Sequence, residues 1–302
     1  MHRMRVYTTE AIVLKRQNLG EADRIVTLYT PLHGKLRAVA KGARRPASRL
    51  AGHLELFCLS TLQLAHGREL EVVTQAEMRD AFRVVRDDLS RTTQAYCALA
   101  LVDRLTPDRL ENADVFELLH ELLVGLSAPQ PSRLALPYFL VHTLAALGYR
   151  PQLSQCVVCR GTIAPGANYF SQHLGGALCP TCGPAEPTAQ TIPLQVLKAL
   201  RYLQRTPLLA DVRVAVTAEI AGGAEAVLRA YSEYLLEHRL RAGEFLDRVR
   251  MDSRLRPDGA ATPLPVADDA ADGAETPQTD RPRPSPSSSL PATTAATAGG
   301  WP

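Results

Sequence analysis

Between residues 6 and 76 apolar and polar positions alternate in short runs. TTEAIVLKRQ, ADRIVTLYT, GKLRAVAKG, LELFCLSTLQLAHG and RELEVVTQAE are rich in Val, Ile, Leu and Thr, side chains that suit a pleated, half-buried surface. Gly20, Pro31, Gly34, Gly42, Pro46, Gly52 and Gly67 punctuate them, because glycine tolerates left-handed backbone and proline presets φ at turns. About five strands in so short a stretch would leave exposed edges as an open sheet, whereas closure removes them. The pattern predicts an OB-like barrel over residues 1–80.

From Asp87 the period lengthens. DDLSRTTQAYCALALVDRLT, ENADVFELLHELLVGL and SRLALPYFLVHTLAALGY repeat apolar residues every three or four positions, with Asp88, Asn112 and Ser132 placed to cap helices. LQVLKALRYLQR and GAEAVLRAYSEYLLEHRL resume that period further on. The segment 151–187 interrupts it, so the chain reads as α+β: a barrel, then a helical domain over 81–250 carrying an insert. Beyond residue 250 the chain is Pro, Ala, Ser, Thr and Asp with almost no large apolar residue before Trp301. Such a composition buries too little surface to offset the entropy of ordering. We expect a disordered tail over 251–302 with a solvated Trp301.

Composition narrows the function classes. The longest apolar run, at 98–102, is far short of the roughly 20 residues a bilayer requires, and MHRMRVYTTE lacks the apolar core of a signal peptide. No membrane association and a cytoplasmic location are therefore expected. The net charge of +3 conceals an asymmetry: residues 1–49 carry eleven Lys or Arg against Glu10, Glu21 and Asp23. A cationic N-terminal face follows, and phosphate polyanions are its natural partners.

Of six cysteines, four form two knuckles in CVVCRGTIAPGANYFSQHLGGALCPTC. Cys156, Cys159, Cys179 and Cys182 have the spacing of a four-thiolate zinc site. Four sulfurs fill a tetrahedral shell and leave no position for a catalytic water, which favours one structural ion. Cys58 and Cys97 lie in apolar stretches and read as buried thiols. His173, between the knuckles, is a loop residue rather than a fourth ligand. A nucleobase-deaminase reading, with His53 and Glu55 ahead of a Cys-x-x-Cys, fails because Leu178 stands before Cys179 and two cysteines are left over. The Gly34-Lys35 pair lacks the flanking residues of a phosphate loop, and no nucleophile elbow is present.

The remaining signal is KLRAVAKGARRPASR, residues 35–49. Lys35, Arg37, Lys41, Arg44, Arg45 and Arg49 occur there without one acid, on a strand and the loop after it. Arg16 and Arg24 are secondary candidates on neighbouring strands. OB folds grip single strands with cations along the backbone and aromatic rings under the bases; Tyr7, Tyr29 and Phe57 are the nearby rings, with Phe57 placed in the core by its apolar surroundings.

The segment TEAIVLKRQNLGEADRIVTLYTPLHGKLRAVAKGARRPASR, the helical middle and the interrupting cysteine pairs together resemble the RecO family of bacterial recombination mediators over about residues 4–248. The resemblance implies an OB-fold DNA-binding domain, a helical domain with a zinc finger, and no turnover of a small molecule. It further implies binding of single- and double-stranded DNA, annealing of complementary strands and action with RecR in loading RecA onto DNA coated by SSB, whose acidic C-terminal tail would dock on the helical domain in the nucleoid. The contrasting reading is a zinc-ribbon adaptor whose basic barrel binds protein and not DNA.

Overall fold

Five strands, β1 (Val6–Leu19), β2 (Asp23–Thr30), β3 (Gly34–Ala40), β4 (Leu59–Ala65) and β5 (Glu71–Asp80), close into a barrel in the order β1-β2-β3-β5-β4. This computed structural model describes residues 6–166 and 168–254, with side chains as far as residue 237. β1 pairs with β4 through its first half and with β2 through its second, and an irregularity between Val13 and Lys15 bends it from one partner to the other. Closure comes from a short parallel contact, Ala38 opposite Glu71 and Val39 opposite Val72. Alternation on β3 sends Leu36, Ala38 and Ala40 inward and Lys35, Arg37 and Val39 outward. Ala11, Val13, Val26, Leu28, Leu62, Leu64 and Val73 complete the barrel core.

The helical part comprises α1 (Arg83–Asp87), α2 (Leu89–Leu105), α3 (Ala113–Ser127), α4 (Ala135–Ala146), α5 (Leu194–Arg205) and α6 (Ala218–Arg254). Asp88 caps α2 by accepting the Arg91 N–H, and Asn112 caps α3 by accepting from Val115. Ser132 stands too early to cap α4; its Oγ accepts the Leu134 N–H in a turn before the helix. Every residue from Ala135 to Val141 is buried, so α4 is the central helix. Between α4 and α5, β6 (Asn168–Ser171), β7 (Gly176–Leu178) and β8 (Ala189–Ile192) make a small antiparallel sheet. Helix α6 continues past residue 250. The rest of the expected tail, Trp301 included, lies outside the described residues. Among the described residues no helix is long and apolar enough to cross a membrane.

The barrel and helices share a core. Ile12, Leu14, Tyr29, Phe57 and Leu59 belong to the same apolar cluster as α2, α3 and α4, and Phe57 meets Tyr96 edge-on at 5.1 Å. Part of the outer side of β1 and β2 is thus covered, whereas Arg37 on β3 and Thr74, Gln75, Glu77 and Arg79 on β5 are exposed. Charges are exchanged across the junction. Lys35 Nζ donates to the Asp103 carbonyl and lies 3.3 Å from the Asp108 carboxylate. Arg109 returns a guanidinium to Glu71 at 2.9 Å and its backbone N–H to Lys35 O at 2.9 Å.

Candidate nucleic-acid interface and metal centre

The loop after β3 folds back onto the turn between β1 and β2. The Arg44 N–H donates to Ala22 O at 2.9 Å, its guanidinium to Gly20 O at 2.8 Å, and the Gly42 N–H to Asp23 Oδ1 at 2.8 Å. Lys41, Arg44, Arg45 and Arg49 are exposed on this loop, and Arg37 is exposed on the strand that leads into it. Five of the expected cations are therefore exposed on β3 and the loop that follows it. The other three are placed differently. Lys35 is drawn into the junction with the helices, while Arg16 and Arg24 converge on Glu55. A cation already neutralised by a carboxylate has less counterion release to offer a phosphate, and Glu55 lies too far along the chain for spacing to reveal the pairing.

Asp23 is the anchor of this loop. Its replacement by alanine frees the Gly42 N–H and removes a charge-assisted bond, which costs about 1.5 to 3 kcal/mol. Limited trypsin digestion is the direct check: cleavage after Lys41 and Arg44 is expected to accelerate in Asp23→Ala, and an unchanged rate would mean that the loop is held elsewhere.

The rings divide likewise. Tyr29 and Phe57 are core side chains. Tyr7 is partly exposed and sandwiched between His33, parallel at 4.7 Å, and His66, tilted at 4.9 Å. Burial, and then the charge of Glu71, push the Tyr7 phenol up to about 12, so it is a neutral ring at physiological pH. The two histidines escaped the sequence reading because they sit in separate turns, and only barrel closure brings them to Tyr7.

The cysteines converge as their spacing requires. The sulfurs of Cys156, Cys159, Cys179 and Cys182 all lie within 4.8 Å of one another, with Cys159 and Cys179 at 3.9 Å. Tetrahedral thiolates bonded to an ion at about 2.3 Å stand about 3.8 Å apart, so the four residues fit one metal ion. The knuckles provide for anionic sulfur. Burial opposes ionisation of Cys156, yet N–H groups of Cys159, Cys179 and Val158 lower its thiol to about 6, and the Cys182 N–H lowers Cys179. Hydrogen bonding to Cys179, with desolvation, pushes Cys182 up to about 12. In the first knuckle Arg160 adopts φ 60° and its N–H donates to Cys156 O, while the Cys156 N–H donates to Gly161 O. In the second, a Cβ on Gly183 would meet the Tyr169 ring at 2.1 Å, so only glycine fits.

This cluster sits on the helices. Arg201 donates to Leu153 O and Gln204 to Pro151 O, each at 2.8 Å, and Phe170 packs edge-on against Tyr231. His173 lies 3.9 Å from Glu186 and outside the sulfur set. His53 Nδ1 accepts the Met78 N–H while Glu55 holds Arg16 and Arg24, so both members of the His-Glu pair are engaged on the barrel.

Family comparison covers both halves. A family model described as Recombination protein O N terminal matches residues 4–82, and one described as Recombination protein O C terminal matches 86–244. The DNA repair protein RecO of Roseiflexus sp. (strain RS-1) is 45% identical over 248 residues, 82% of this chain and 87% of that protein. The DNA repair protein RecO of Desulforamulus reducens is 35% identical over 246 residues, 82% and 96% of the two chains, and that of Dehalococcoides mccartyi (strain BAV1) is 32% identical over 245, 81% and 96%.

Proposed function

Because this chain belongs to the recombination protein O family of DNA repair proteins, we propose that it binds single- and double-stranded DNA through residues 37–49 and anneals complementary strands. The observation that carries this reading is the exposure of Arg37, Lys41, Arg44, Arg45 and Arg49 on β3 and the loop after it, with no acid in the segment that supplies them. Annealing requires two polyanions to approach. Cations that displace condensed counterions lower that repulsion without reading sequence, and nothing in the step needs a chemical transformation, so the protein acts without turning over a small molecule.

In this reading the chain works in the nucleoid with RecR, which helps it load RecA where SSB coats the DNA. The acidic, apolar-ended tail of SSB suits the cleft between α2 and α6. That cleft includes a cavity of about 550 Å³ lined by Leu136 and Arg133, with Arg229 held between Glu225 and Glu233, and it continues to Leu101, Leu140 and Arg104, so Arg133 and Arg104 are the cations it offers a carboxylate. The ion held by Cys156, Cys159, Cys179 and Cys182 is zinc, in a structural role.

Annealing of SSB-coated complementary oligonucleotides is the test of activity. For the surface, the double charge reversal Arg44→Glu with Arg45→Glu is expected to weaken DNA binding at least about tenfold at low salt and to flatten the log–log salt dependence by about 1.4 to 1.8, two phosphate contacts' worth. Unchanged affinity and slope would remove the loop from the interface.

A further inference from the structure

The cationic surface does not end at Arg37. Ala38, the next residue, is paired with Glu71, so Arg37 stands beside the point where the β4–β5 loop, residues 66–70, enters β5. That loop carries Arg68 and Glu69, both exposed, and His66. His66 is the outermost member of a three-ring column. Its ring lies 4.9 Å from Tyr7, which is stacked in turn on His33, and 49% of its side chain remains exposed.

The ring is held in place. Its Nδ1 lies 3.3 Å from Oε1 of Glu71, a carboxylate whose side chain is 1% exposed and which also binds Arg109. Glu71 is thereby fixed and its charge balanced, so a buried acid beneath the loop does not repel phosphate. A flat π-surface with one side on Tyr7 and half open to solvent, on a loop that carries exposed Arg68 and enters β5 beside the strand of Arg37, has the components of a single-strand platform: a ring for a base and cations for the adjoining backbone.

We propose that an unpaired DNA base stacks on the exposed side of His66, making the β4–β5 loop a single-strand-selective extension of the cationic track. The inference rests on the DNA-binding reading above and adds a preference to it. In a duplex each base face is already covered by its neighbours, so the ring contributes nothing there. A strand awaiting its complement is held, and pairing withdraws the base from the ring, which releases the annealed product.

Fluorescence anisotropy with a short mixed-sequence single strand and its duplex, at one fixed salt concentration, tests this. His66→Ala is expected to lose about fivefold or more in single-strand affinity, as for one stacked base, with duplex affinity within twofold of wild type. His66→Phe, which keeps a ring beside Tyr7 and gives up the Nδ1 bond to Glu71, is expected to restore most of the single-strand affinity that the alanine variant loses, and it decides the matter if the alanine variant is poorly folded by circular dichroism. Wild-type single-strand affinity in His66→Ala, equal losses on both DNAs, or a His66→Phe variant as weak as alanine would each overturn the stacking site. Wild-type protein that binds neither DNA would instead overturn the underlying DNA-binding reading.

Discussion

Gly34→Ala is expected to destabilise the protein by more than about 3 kcal/mol, although it adds one methyl group at a turn. Gly34 has φ 59°, a left-handed conformation that costs an L-residue about 1 to 2 kcal/mol. The larger cost is steric: a Cβ here would lie 1.9 Å from the Leu110 carbonyl oxygen and 2.6 Å from its carbon. That obstacle is backbone, so no rotamer change relieves it. Relief requires moving the 106–111 connection away from β3, and this connection carries the Arg109 N–H bonded to Lys35 O and the guanidinium bonded to Glu71. Gly20 supplies the control. It has φ 56°, but a Cβ there would meet nothing within 4 Å, so Gly20→Ala incurs the left-handed penalty alone. Chemical denaturation of both variants separates the two contributions, and equal losses would show that the approach of Leu110 does not constrain the junction.

Local chemistry was legible in the sequence wherever one element decides it. The alternation in GKLRAVAKG places Leu36, Ala38 and Ala40 inside the barrel, and LQVLKALRYLQR becomes α5 over that same stretch. Cys-x-x-Cys spacing picked out the four cysteines that converge, because each knuckle is a local turn. Partnerships formed by closure and docking were not legible. Lys35 looks like any other cation in KLRAVAKGARRPASR until the helices place Asp103 and Asp108 against it. Arg16 and Arg24 meet Glu55 only because the β3–β4 connection returns beside β1 and β2. Ser132 has the right chemistry for a cap, but α4 starts at Ala135, since the preceding turn already uses that hydroxyl. The His33, Tyr7 and His66 column has no sequence signature: its members come from a turn, a strand and a strand end.

These placements separate the four cysteines from the cationic loop, and that separation sets the expected outcome for Cys156→Ser. The strands of the ribbon are three or four residues long, too short to be stable alone. They are held by Arg201, Gln204 and the Phe170–Tyr231 contact on one side, and on the other the four cysteines stand where one metal ion would tie them together. Removing one sulfur deprives the ion of a quarter of its shell and loosens the segment that keeps Phe170, Leu178 and Ile192 buried. A loss of more than about 4 kcal/mol is expected, the range reached when a metal site fails, with zinc content falling from one ion per chain towards none; a strong chelator applied to the wild type should approach the same state. Lys41, Arg44, Arg45 and Arg49 are positioned by Gly20, Ala22 and Asp23 on the barrel, so DNA affinity per folded molecule should stay within about twofold. Thermal unfolding and anisotropy on the same preparation discriminate the roles. A Cys156→Ser protein that keeps wild-type stability and loses DNA binding would move the cysteine cluster from the scaffold into the interface.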